Sequence, residues 1–199
     1  MSQFNIHSIQ SAPAGAQALL QGSLKKYGFI PNLHGGLAEA PVALEAYIEL
    51  TALFDRSSLS PTERQVVLLA VSAENHCTYC VAAHSTIAKH MVKADPAVVD
   101  AIRNLQPLPD PKLDALANFT RNVVKNRGVV RGQAFDKFIS AGYSRAQVLE
   151  VVLGVTFKTL SNYSNHLIDT PLDSAFQAEA WEVPGQCASN RCASRDEPG

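Results

Sequence analysis

With 199 residues, 46% of them hydrophobic and 18% charged, the chain has the makeup of a folded globular protein and is too apolar to be disordered. Its 17 basic and 18 acidic side chains are spread along the sequence, with no basic cluster interleaved with aromatics, which argues against nucleic acid as a partner. Apolar runs such as Val66 to Val71 are too short to span a bilayer, and Met1-Ser-Gln-Phe-Asn-Ile-His lacks the features of a signal peptide, so a cytoplasmic protein without membrane attachment is expected.

Taken in chain order, the pattern reads as helix after helix. Ser11 to Tyr27 carries Ala16, Leu19, Leu20 and Leu24 at helical spacing, and Gly28-Phe29-Ile30-Pro31-Asn32 breaks it. Pro41 opens a helix that runs to Phe54. Ser60-Pro61-Thr62-Glu63 supplies a hydroxyl cap, a first-turn proline and a carboxylate that closes a capping box. The following stretch to His76 is apolar nearly all round, as a buried helix is. A second helix is predicted from Cys77 to about Met91, then a short one from Pro96 through Asn104 and a proline-rich connector from Gln106 to Pro111. Lys112 to Asn126 and Gly132 to Ala141 are amphipathic.

Ser144 to Asp169 is long and rich in β-branched residues (Val148, Val151, Val152, Val155), which allows a strand; its length and the polar face of Glu150, Lys158 and Asn162 favour helix. No alternating pattern or Asn-Gly hairpin signal occurs. The expected class is all-α, divided into an N-terminal helical segment (1–24), a principal helical domain (25–182) and a flexible tail (183–199) that holds Cys187 and Cys192.

Chemistry concentrates at Glu74-Asn75-His76-Cys77-Thr78-Tyr79-Cys80-Val81-Ala82-Ala83-His84. In a reducing compartment a Cys-x-x-Cys pair points to redox or metal chemistry more than to a structural disulfide. On one helix Cys77, Cys80 and His84 share a face. Cys77, in the first turn, would feel the helix dipole and free backbone N–H groups, which favour thiolate. His84, one turn beyond Cys80, is placed to move that cysteine's proton. Cys80 is the candidate attacking thiol and Cys77 the resolving one, although the dipole argument allows the reverse. Three readings stay open: a catalytic dithiol, a redox-sensing or partner-binding dithiol with little turnover, and a zinc site using Cys77, Cys80, His84 and a distant ligand.

These residues, with Leu59-Ser60-Pro61-Thr62-Glu63-Arg64 before them and Asn162-Tyr163-Ser164-Asn165-His166 after, resemble the carboxymuconolactone decarboxylase-like superfamily, in its alkyl-hydroperoxidase D (AhpD-like) peroxidase-related branch. The resemblance covers roughly residues 25 to 180. It implies an AhpD-like helical bundle assembled as a trimer or hexamer, and a thiol-dependent, peroxiredoxin-type peroxidase acting on hydrogen peroxide or organic hydroperoxides. Reduction would come from a small or protein dithiol, with no cofactor and no resident metal. The decarboxylase branch lacks the cysteine pair.

The sequence departs from the hydroperoxidase pattern twice. Gln65 stands where the relay glutamate is found, twelve residues before Cys77, and Tyr79 stands where a histidine precedes the second cysteine. Glu74 is the candidate replacement carboxylate, so the expected catalytic set is Cys77, Cys80, His84 and Glu74. Tyr79 reads as packing, and Asn165, His166 and His34 are lesser candidates. The side chain of His76 should point away from Cys77.

Overall fold

A computed structural model describes residues 4–185 of the chain; the sequence readings of Cys187, Cys192 and most of the tail lie outside the described residues. Among these there are nine α-helices and no strand: α1 Ala14–Tyr27, α2 Asn32–Leu37, α3 Pro41–Asp55, α4 Pro61–Glu74, α5 Thr78–Thr86, α6 Pro96–Arg103, α7 Pro111–Lys125, α8 Gln133–Ser140 and α9 Arg145–Ile168. A π-helical turn, Ile87–Val92, prolongs α5, and a 3₁₀ turn spans Ser174–Glu179.

The all-α expectation holds, and side-chain caps mark the starts of α4, α6, α7 and α9. Ser60 Oγ accepts from Glu63 N at 3.2 Å while the Glu63 carboxylate accepts from Ser60 N at 2.8 Å. Ser144 and Gln147 repeat the device at the head of α9, at 3.2 and 2.8 Å. Each such cap contributes about 1 kcal/mol. Helix α2 and the 3₁₀ turn have no counterpart in the sequence pattern. The 24/25 division falls inside α1, which runs unbroken to Tyr27.

Helix α4 is the axle of the bundle. Its residues Val66 to Ala73 are all buried, and it packs against α5, α6, α7 and α9. The main core gathers around α4 and includes Phe54, Leu69, Leu116, Phe119, Phe138, Val151 and Phe157. A second cluster lies beneath the N-terminal helices, where Ala16, Leu20, Leu33, Leu37 and Leu44 pack with Cys77, Tyr79, Cys80 and Ala83. The cysteines therefore sit under a cover made by α1–α3.

Helix α9 approaches α3 and α4 closely at Gly154. A Cβ there would come within 2.8 Å of Val67 Cγ1 and 2.9 Å of Phe54 Cε2. The close approach needs a residue without a side chain, and it fixes the register of the stripe that follows. Gly154, Lys158, Ser161, Asn162 and Asn165 are all buried along one face of α9.

Candidate dithiol site

The turn between α4 and α5 sets the position of the first sulfur. His76 takes the left-handed conformation, with φ at 56°. Its N–H donates to Ala73 O at 3.1 Å, and Cys77 N–H donates to Ser72 O at 2.9 Å. This pair of bonds is the Schellman arrangement that closes a helix C-terminus. It delivers Cys77 as the N-cap residue of α5, with Cys80 in the first turn beyond it.

Both cysteines are free thiols and buried. They share a partner on α9: the Asn165 amide nitrogen donates to Cys80 Sγ at 3.2 Å and to Cys77 Sγ at 3.8 Å. Ser161 Oγ lies 3.9 Å from Cys80 Sγ. The Asn165 carbonyl oxygen is buried and has no hydrogen-bond partner among the described residues.

The two thiols are driven in opposite directions. Burial alone would raise Cys80. A hydrogen bond from the Cys77 thiol, the charge and hydrogen bond of Lys158, and a hydrogen bond from Asn162 outweigh it and hold Cys80 well below the ordinary thiol value. Cys77 is pushed up by that same hydrogen bond to Cys80, then by burial and the neighbouring sulfur's charge. The helix-dipole expectation of a Cys77 thiolate is thus corrected. The donor role of Cys77 outweighs its place at the helix start, and Cys80 is the sulfur that ionises.

Lys158 joins this sulfur to the histidine. Only 1% exposed, it places Nζ 3.0 Å from His84 Nε2. On its other side His84 Nδ1 lies 3.0 Å from Gln65 Oε1. An amide oxygen can only accept, so Nδ1 carries the proton and Nε2 accepts from Lys158. Burial first, and the Lys158 charge second, hold His84 well below the usual histidine range, so its ring is neutral. The result is a line running from Cys80 through Lys158 and His84 to Gln65. His84 is therefore brought into the site, with Lys158 standing between it and the sulfur.

Glu74 is not brought there. As the last residue of α4 it precedes the Schellman turn, and its carboxylate pairs with Lys125 Nζ at 3.4 Å. It lines a surface recess with His76, Arg121 and Lys125. The expected relay carboxylate is replaced, at the sulfurs, by a cation. Tyr79 ties the site to the segment after α9. Its hydroxyl donates to Asp173 at 2.5 Å, and Asp173 also accepts from the first N–H of α2. Phe176, two residues into the 3₁₀ turn, packs edge-on against the Tyr79 ring.

His34, a lesser candidate from the sequence, is a buried helical residue bonded to Ser23 Oγ at 2.7 Å. His166 is exposed near the end of α9. No group of three or more His, Cys, Asp or Glu side chains among the described residues is arranged to hold a metal. No helix among them is long and apolar enough to cross a membrane.

Comparison with known proteins bears on the fold and on the segment that holds the dithiol. The model of the carboxymuconolactone decarboxylase family matches residues 39–121, which include the whole of α4 and the Cys77–His84 segment. Among solved structures, an uncharacterized peroxidase-related protein from Ralstonia eutropha JMP134, described as an alkylhydroperoxidase AhpD core, superposes with a TM-score of 0.78 at 26% identity, over 88% of this chain and 94% of its own. A peroxidase-related protein from Silicibacter sp. TM1040 gives 0.74 at 18% identity, over 89% and 93%. The debrominase Bmp8 in complex with 2,3,4-tribromopyrrole gives 0.75 at 18%, over 90% and 96%, so the fold carries more than one activity. No curated protein matches the chain. The family match around the dithiol and the shared all-helical fold support an assignment of the chain to the carboxymuconolactone decarboxylase/AhpD-like superfamily.

Proposed function

We propose that this chain is a thiol-dependent peroxidase that reduces hydroperoxides through the Cys77–Cys80 couple. The observation that carries the reading is the geometry of the pair: two buried free thiols that share one Asn165 amide, with Lys158 beside Cys80 favouring its thiolate over that of Cys77.

The Cys80 thiolate attacks the terminal peroxide oxygen. The S–O bond forms, the O–O bond breaks, and the leaving alkoxide or hydroxide takes a proton from Lys158. Asn165 Oδ1, which lacks a partner among the described residues, offers an acceptor for the peroxide O–H. Cys77 then attacks the Cys80 sulfenic acid. The S–S bond forms, and the thiol proton leaves with the hydroxyl as water. A small or protein dithiol reduces the disulfide and returns two hydrogens, one to Cys77 and one to Lys158. Neutral His84, fixed by Gln65, holds Lys158 in line and accepts from it.

The test is chemical. One equivalent of peroxide added to the reduced protein should convert the tryptic peptides holding Cys77 and Cys80 to their disulfide form, reversibly with a dithiol, by peptide mass mapping. Free thiols at both positions after peroxide treatment would sink the reading.

A sensing dithiol with little turnover has one observation in its favour: both sulfurs are buried, so oxidant reaches them only when the cover of α1–α3 moves. The peroxidase reading accommodates this burial as control of access. Self-association is part of the proposal. Leu149, Val152, Tyr163 and Leu167 leave an apolar stripe exposed on the outer face of α9. Light scattering should report a trimer or hexamer, and a monomer would contradict it.

A further inference from the structure

The N-terminal helices that cover the dithiol carry a recess of their own. It lies between α1, α2 and α3, encloses about 260 Å³, and is lined chiefly by Leu19, Gly22, Tyr27, His34, Tyr47 and Ile48. It is smaller than the roughly 300–1,000 Å³ usual for drug-sized ligands, and fits a single-ring molecule. Tyr47 belongs to both places. Its ring lines the recess, packs on the cluster that contains Cys77 and Cys80, and lies 5.1 Å from the ring of Phe157.

His34 brings a polar ring into this wall. His34 is 4% exposed, and its Nδ1 is engaged by Ser23 Oγ at 2.7 Å. Ser23 Oγ donates its own hydrogen to Leu19 O at 3.1 Å, so the proton between the two residues belongs to His34 Nδ1. Nε2 is left as an acceptor without a partner among the described residues. Burial, with Lys26 nearby, lowers His34 to about 4, so the ring stays neutral and that lone pair stays available at neutral pH. An acceptor without a protein partner, in a wall that is mostly apolar, favours a ligand that brings one donor and an apolar body.

We propose that this recess binds a small neutral single-ring molecule through one O–H donated to His34 Nε2, with Tyr47 as the wall between the bound ring and the dithiol. Under the peroxidase reading, on which this last assignment rests, the ligand is an arylalkyl hydroperoxide and its alcohol product. Access to the sulfurs is then a movement of Tyr47, and the recess selects such substrates over hydrogen peroxide.

Gly22→Leu is the discriminating variant. Gly22 lies within α1, and a Cβ there meets nothing within 4 Å, so the helix tolerates the change while the side chain fills the recess. Binding of 2-phenylpropan-2-ol to the full chain, followed by calorimetry, should be saturable in the wild type. It should weaken at least about tenfold in Gly22→Leu and at least about tenfold for cumene, which lacks the hydroxyl. The ratio of kcat/KM for cumene hydroperoxide to that for hydrogen peroxide should fall by a similar factor in the variant.

Equal binding of cumene, or binding unaffected by Gly22→Leu, overturns the site. Turnover of hydrogen peroxide without saturable alcohol binding also overturns it, and leaves the peroxidase reading standing. Saturable, Gly22-sensitive binding in a protein inert to every peroxide supports the site and removes the peroxidase reading.

Discussion

Cys80→Ser is expected to lower dithiol-dependent peroxide turnover by at least about three orders of magnitude, the scale on which removal of a nucleophile acts. Cys77→Ser should behave differently. Cys77 enters the first step only as the donor that hydrogen-bonds to Cys80. A serine hydroxyl donates as well as a thiol, so the Cys80 thiolate keeps most of its stabilisation. The variant should therefore reduce about one equivalent of peroxide in a burst and then stall as a sulfenic acid that dimedone traps. Rapid-mixing peroxide assays with mass analysis of the trapped adduct read both outcomes. A burst in Cys80→Ser and none in Cys77→Ser would reverse the two roles and contradict the hydrogen-bond direction on which the assignment stands.

The helical order of the chain is legible because its punctuation is local. Proline at the first turn of α3, α4, α6 and α7, with hydroxyl or carboxylate caps before most of them, marks each start with groups that act within a few residues. Helix α2 escapes because nothing local favours it. Gly35 and Gly36 are poor helix formers, and they are there for contact: a Cβ on Gly35 would meet His7 O at 2.8 Å, and one on Gly36 would meet Ile168 Cδ1 at 2.9 Å. The 3₁₀ turn is likewise held from afar, through Tyr79 and Asp173, which are 94 residues apart.

The candidate site divides along the same line. Cys77, Cys80 and His84 fall on one helix, so their spacing places them together. Lys158 stands 74 residues beyond His84, and on a long helix a lysine reads as a solvated face. Its one sequence signal is the stripe it belongs to. Gly154, Lys158, Ser161, Asn162 and Asn165 recur at helical spacing beside Val151, Phe157 and Ile168, so small and polar residues interrupt a buried face that would otherwise be apolar throughout. Glu74 has only its charge and its nearness in sequence to recommend it. The turn at His76 separates it from the sulfurs.

Lys158→Met tests whether that cation activates the sulfur beside it. Methionine keeps the length and the apolar stem of lysine and removes only the charge and the donor. Without Lys158, burial of Cys80 is offset by the hydrogen bonds from Cys77, Asn162 and Asn165 with no cation to assist them, so the thiol form gains and the reactive fraction near neutral pH shrinks. The leaving alkoxide also loses its proton donor. Together these should lower kcat/KM for peroxide by about 10²- to 10³-fold at neutral pH. The pH profile separates the two losses. In the wild type Cys80 is already ionised, so the rate should be nearly flat from about pH 7 to 9; in the variant it should climb through that window as the thiol ionises, recovering the first loss and not the second. Folding should hold, because Cys80 can take up a proton once the cation is gone, so no unpaired buried charge is left behind. An unchanged or higher Tm would therefore assign the lost rate to chemistry. A variant within about threefold of wild type with the same flat profile would mean that Lys158 packs against the dithiol without activating it, and that the hydrogen bonds from Cys77, Asn162 and Asn165 hold Cys80 ionised.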